Sequence, residues 1–232
     1  MLTPNFIAVG TDVATTTTTL ALVAPTCQVG DAIFAIIVSK NNTALTVPTD
    51  WTIIQDVSNT AAMRTAIAWK KIGSADSGAT FNFTVAGTTV SYGCLVVFRN
   101  VQQVGASSAS ANALADNVTY ATITPDPNSV VVGFGSYSLN ATTLGAMTGT
   151  DPTFANILDV ETASGTTASL FASWGPSLDG AATGARTQPS NSTTDAVNQG
   201  FFVELRPMDD VGGGVISSSA AKYPAVIRQR TR

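Results

Sequence analysis

The chain contains no histidine. That absence excludes Ser-His-Asp hydrolysis, Cys-His catalysis and His-ligated zinc together. Charged residues fill only 11% of the 232 positions, well below the roughly one quarter usual in soluble domains. Only Glu161 and Glu204 are glutamates, and the other thirteen acids are aspartates. Asp favours turns, whereas Glu and Lys furnish exposed helix faces, so their scarcity argues against helices before any periodicity is considered. The two cysteines, Cys27 and Cys94, have no metal-ligand spacing. Cys94 lies in the apolar run Tyr92-Gly93-Cys94-Leu95-Val96-Val97-Phe98 and reads as a buried free thiol, with a disulfide to Cys27 left open. No GxxxxGK[ST] or GxGxxG loop occurs, and no cofactor is expected. No apolar run approaches the roughly 18 residues that span a bilayer. The opening Met1-Leu2-Thr3-Pro4-Asn5 has neither a basic n-region nor an apolar h-region, so the expectation is synthesis in a cytoplasm without membrane association.

Hydrophobic residues make up 44% of the chain and Thr, Ser, Asn and Gly most of the polar remainder. Such a chain can bury a sizeable core. A surface of Thr, Ser, Asn and Ala is tolerable when much of it is covered by neighbours in an assembly, and it is also common on β-sandwiches. Strand signals recur at short intervals between Gly, Pro, Asn and Asp. They predict strands at Asn5–Val9, Thr17–Val23, Ala32–Ser39, Trp51–Val57, Thr65–Ile72, Thr80–Val85 and Ser91–Phe98 in the first half. In the second half they predict Val118–Ile123, Ser129–Ser136, Phe154–Thr162, Thr167–Trp174 and Gln199–Leu205. Phe81, Phe83 and Val85 alternate with polar residues, the period of a strand with one buried face. Ala32–Val38 and Val130–Phe134 are nearly unbroken apolar runs, as expected of central strands packed on both faces. Ser107–Leu114 is Ala-rich enough for a turn of helix, against which its Ser and Asn content counts. There is no internal repeat of fixed period, which disfavours a solenoid or propeller. The predicted fold is all-β: a two-sheet antiparallel sandwich of jelly-roll or Greek-key type over residues 1–207, with an extended C-terminal arm.

The arm, 208–232, is set off by Gly212-Gly213-Gly214. All fifteen acids lie within residues 1–210 with seven of the eleven basic residues, a net of −8, whereas 211–232 carries Lys222, Arg228, Arg230 and Arg232 and no acid, a net of +4. Tyr223, Pro224, Val226 and Ile227 lie among those charges and give the arm apolar surface to bury. The candidate partner-binding residues are therefore Lys222, Tyr223, Val226, Ile227, Arg228, Arg230 and Arg232, acting on an acidic neighbour or the acidic body of a sister subunit. Nucleic acid is not the expected partner, because the arginines lack interleaved aromatics and the body is acidic.

Other side chains were weighed for chemistry. Asp159 and Glu161, two apart on one strand face, are candidates for a glycosidase pair, and Asp209-Asp210 are adjacent. Neither pair has an aromatic platform, and solvated carboxylates are the plainer reading, so no catalytic residue is assigned and the chain is expected not to be an enzyme. Asp116, Asp126 and Asp179 are loop aspartates open to calcium, without an EF-hand loop, and no metal site is assigned. Trp51, Trp69 and Trp174 are candidates for glycan contact but sit among apolar neighbours that favour core packing.

Several segments resemble a sandwich domain frequent in phage structural proteins and bacterial surface proteins. They are Val29-Gly30-Asp31 before an apolar strand, Pro48-Thr49-Asp50-Trp51-Thr52, Ala68-Trp69-Lys70-Lys71-Ile72, Ala75-Asp76-Ser77-Gly78-Ala79, Gly180–Arg186 and Phe202-Val203-Glu204-Leu205-Arg206-Pro207. The resemblance covers most of residues 18–207 and not the arm. It implies a tailed-phage virion component, most like a capsid decoration (cement) protein: a jelly-roll homo-oligomer, a trimer by preference, that braces the major capsid protein or other virion proteins. The alternative is a tail or fibre adhesin that binds host glycans.

Overall fold

The structure, a computed structural model, describes residues 1–40, 42–60, 62–87, 90–139, 144–149, 152–161, 168–177, 179–191 and 195–209. Among them there are sixteen strands and no helix. In the first half these are β1 (Asn5–Val9), β2 (Val13–Thr15), β3 (Thr19–Val23), β4 (Ala32–Lys40), β5 (Leu45–Thr46), β6 (Thr52–Asn59), β7 (Met63–Lys71), β8 (Thr80–Val85) and β9 (Ser91–Arg99). In the second they are β10 (Val101–Ala115), β11 (Asn117–Tyr120), β12 (Ser129–Tyr137), β13 (Ala155–Glu161), β14 (Ser169–Ser177), β15 (Arg186–Pro189) and β16 (Ala196–Pro207). All twelve sequence-predicted strands are present within a few residues of their expected ends. The Ala-rich stretch Ser107–Leu114 is strand throughout, inside β10, which corrects the helical option. Its small side chains pack along β16, and that pairing over-rides local propensity.

The strands form four antiparallel sheets where two were expected. Two large sheets run β1–β9–β4–β7–β6, with β2 also on β9, and β10–β16–β12–β14–β13. Two small ones run β3–β8–β5 and β11–β15. The large sheets face each other across a shared core that includes Phe34, Ile36, Val96 and Phe98 from one and Val132, Phe134, Phe201 and Val203 from the other. Their outer faces are covered by the small sheets. Leu20, Leu22 and Phe83 close over Ile33, Ala35 and Val97, while Val118 and Tyr120 close over Val131, Phe171 and Phe202. β4 is therefore apolar on both faces because it packs on both, as its unbroken run predicts.

The two halves follow one strand plan. β4 lies between β9 and β7 as β12 lies between β16 and β14, and β6 and β13 occupy the same edge. Trp69 stands opposite Phe34 as Trp174 stands opposite Val132. The ladder shifts register at the same place in both edge pairs, between Ile53 and Gln55 and between Asn156 and Leu158. β9 ends on Arg99 and its counterpart β16 carries Arg206 at the matching position, paired with Asn5 and Gln103 respectively. No fixed period marks this repeat in the sequence because the offset drifts, from 98 residues between Ala32 and Val130 to 107 between Arg99 and Arg206.

The halves are stitched by polar contacts at one end of the shared core. The Thr65 and Ser136 hydroxyls meet at 2.7 Å, and the Asn59 amide donates to the Asn112 and Asn198 carbonyls at 2.8 and 2.9 Å. Gln199 Nε2 donates to the Val57 carbonyl at 2.9 Å.

Candidate functional site

Six basic side chains of the body are spent internally. Arg64 pairs with Asp56, Lys70 with Asp76, Arg99 with Asp31, and Arg206 with Asp126 and Glu204. Lys71 donates to the Gly30 and Val101 carbonyls and Arg186 to that of Thr148. Two of these pairs lock the same corner in each half. Asp31 is almost fully buried and takes a two-pronged contact from Arg99 and the Gln28 amide. In the other half, buried Glu204 accepts from the Ala106 and Asp126 amides, the Ser129 hydroxyl and Arg206. Burial pushes both carboxyls up, but these donors over-ride it and hold both below the ordinary carboxylate range.

Several acids have no such partner. Asp50, Asp159, Glu161, Asp195 and Asp209 are exposed and form no ion pair with a cation of the described residues. Asp195 hydrogen-bonds to Asp116 and its carboxyl is raised by that contact. Asp159 is exposed as a residue, yet desolvation of its carboxyl group and the charge of Glu161 raise it, against an opposing hydrogen bond from the Leu144 amide. A shallow cavity of about 410 Å³ lined by Leu144, Gly145, Pro189, Ser190 and Asn191 opens at that loop. The body's exposed surface is thus acidic, as its composition implies.

Asp159 and Glu161 share one face of β13, as their spacing predicts, with Leu158 buried in the shared core and Val160 packed against it. The loop aspartates Asp116, Asp126 and Asp179 serve separate ends: Asp126 meets Arg206, Asp179 accepts from the Ala181 amide, and Asp116 meets Asp195. Among the described residues no three His, Cys, Asp or Glu side chains gather as a metal site would require.

Trp51, Trp69 and Trp174 serve the core. Trp51 lies edge-on to Phe81 and Phe83 with ring centroids 5.2 and 5.0 Å away. Trp69 stacks on Phe34, and Trp174 stands edge-on to Phe98. Both cysteines are free and buried; burial raises Cys27 and drives Cys94 to about 12, so neither thiol is a nucleophile near neutral pH.

The arm residues Lys222, Tyr223, Val226, Ile227, Arg228, Arg230 and Arg232, together with Asp210, lie outside the described residues. The point from which the arm leaves is defined. The Leu2 amide donates to the Met208 carbonyl, and the Met208 amide to the carbonyl of Asn100, the residue that joins the two halves, each at 2.9 Å. Sequence reasoning missed this junction, and it missed the amides Asn59, Asn112, Asn198 and Gln199 that bind the halves. An amide in a Thr- and Asn-rich chain carries no mark of burial. Comparison of the chain with known protein families, with curated proteins and with solved structures finds no match.

Proposed function

We propose that the chain is a structural protein of a tailed-phage virion, a capsid decoration (cement) protein that sits on the head and braces the major capsid protein and its own sister subunits. In this reading the body is a rigid block and residues 208–232 attach it. One observation carries the reading: six cations of the body are tied up within it and carboxylates are left on its surface, while residues 211–232, which follow the junction of Leu2, Asn100 and Met208 by two aspartates, carry a net charge of +4. Complementary charge of that kind steers and registers association. The repeated strand plan supports a brace, since each half is anchored through a common core. The chain passes between large and small sheets at β3–β4, β7–β8 and β8–β9 in the first half and at β10–β11, β11–β12, β14–β15 and β15–β16 in the second, which supports a Greek-key or jelly-roll plan for each half. The trimer belongs to the same proposal.

The adhesin reading is less well supported. It needs an exposed aromatic beside Asn or Asp, and every aromatic among the described residues is buried or half-buried. The test is to locate the chain. Peptide mass spectrometry of purified virions should find it in a fixed ratio to the major capsid protein, and cryo-electron microscopy should place its four-layer body on the head. Density at the tail tip, or absence from the particle, would overturn the proposal.

A further inference from the structure

β13 is the outer strand of its large sheet. It pairs with β14 on one side and with no strand of the described residues on the other. Its counterpart in the first half, β6, occupies the same edge but is covered. Gln199 donates to its Val57 carbonyl, Asn59 reaches the Asn112 and Asn198 carbonyls, and Gln55 donates to Ser107, all across the halves. The long strand β10 supplies much of that cover. Its counterparts on the other side, β1 and β2, are only five and three residues long. Among the described residues, one edge is thus shielded and its equivalent is open.

An open edge presents unpaired backbone groups to any strand that can match it. β13 sets conditions on that strand. Asp159 and Glu161 stand on one face, and Leu158 and Val160 point to the shared core on the other. Two β13 edges laid together would bring like charges into contact, which disfavours self-pairing. The end of the chain has the complementary pattern. Arg228, Arg230 and Arg232 are spaced by two, so an extended backbone puts all three on one face and Ile227 on the other.

We infer that residues 226–232 of a second copy add to the open edge of β13 as an extra strand, with Arg228 and Arg230 facing Asp159 and Glu161 and Ile227 on the side of Val160. This rests on the attachment role proposed above for residues 208–232. The donor is placed in another copy because a body surface of Thr, Ser, Asn and Ala suits cover by neighbours. A segment given by one copy and accepted by the next is also a head-to-tail contact that can close into a ring such as a trimer.

The test is light-scattering mass of the full chain over a concentration series, with charge-reversed variants. Wild type should associate beyond its 23.7 kDa monomer mass. Asp159→Lys with Glu161→Lys should weaken association at least tenfold. So should Arg228→Glu with Arg230→Glu, a change that touches no residue of the 1–209 core. All four substitutions in one chain should restore association. A monomer at every concentration, or association indifferent to either reversal, overturns the inference. So does a chain that stays monomeric while its arm protects β13 from amide exchange, since the strand would then be its own. Swap-sensitive association in a chain missing from virions would support the inference and overturn only the virion reading.

Discussion

Glu204 is a carboxylate with almost no access to water that is met by four donors. Glu204→Gln keeps one acceptor oxygen but turns the other into an amide donor that faces a donor, and should cost about 1–3 kcal/mol in urea unfolding, the range for leaving a buried polar group unsatisfied. The pH dependence follows from direction. Asp31 and Glu204 both titrate lower in the folded chain than in the unfolded one. Their ionised forms therefore favour folding; that stability is complete above the unfolded carboxylate range, near pH 4, and drains away as pH falls through the folded values. Unfolding midpoints of wild type should drop below pH 4, and Glu204→Gln should flatten part of that acid limb. The paired glycines Gly93 and Gly200 give a second residue-scale result. They occupy equivalent positions in β9 and β16 where the covering strands β3 and β11 come closest. A Cβ at Gly93 would meet the movable tip of Leu20 at 2.7 Å, whereas one at Gly200 would lie 2.1 Å from the Thr119 backbone carbonyl. Gly93→Ala should cost about 1–3 kcal/mol, as overpacking does, and Gly200→Ala should cost more because a backbone carbonyl cannot swing aside. Equal melting temperatures for the two would refute this.

At the scale of elements, the shielded edge depends on a few amides. Asn59→Ala leaves the Asn112 and Asn198 carbonyls short of a donor and should destabilise the chain by about 1–3 kcal/mol. Amide exchange should then rise first in β6 and β10, the strands it ties together. What the sequence reveals divides along the same line. Strands with alternation or an unbroken apolar run, such as β8 and β4, are legible because burial writes its period into them. β10 is not, since Ala and Ser satisfy a strand edge without alternation and match a helix equally well in composition. β5 and β15 are too short to show a period. Of the candidate site, the shared face of Asp159 and Glu161 is legible from spacing alone. That β13 is an edge strand among the described residues is not, because edge and centre are decided by which strands lie next to each other.

For the whole molecule, the sequence reading captured an all-β body, and packing supplied the four layers and the repeated plan. The shared core joins the halves so closely that neither large sheet has a solvent-compatible inner face of its own: Phe34, Ile36 and Val96 in one, Val132, Phe134 and Val203 in the other, are all fully buried. Residues 1–100 and 101–209 made separately should each self-associate or precipitate, and co-expression should recover a soluble pair with the melting behaviour of the intact body. The attachment role proposed for residues 208–232 is tested on the particle. Heads lacking this protein should be incubated with full-length chain and with chain ending at residue 210, and the bound copies counted. The full-length chain should saturate at a fixed number per head while the shortened chain, folded and equally stable, fails to bind; equal saturation by both would contradict the central claim.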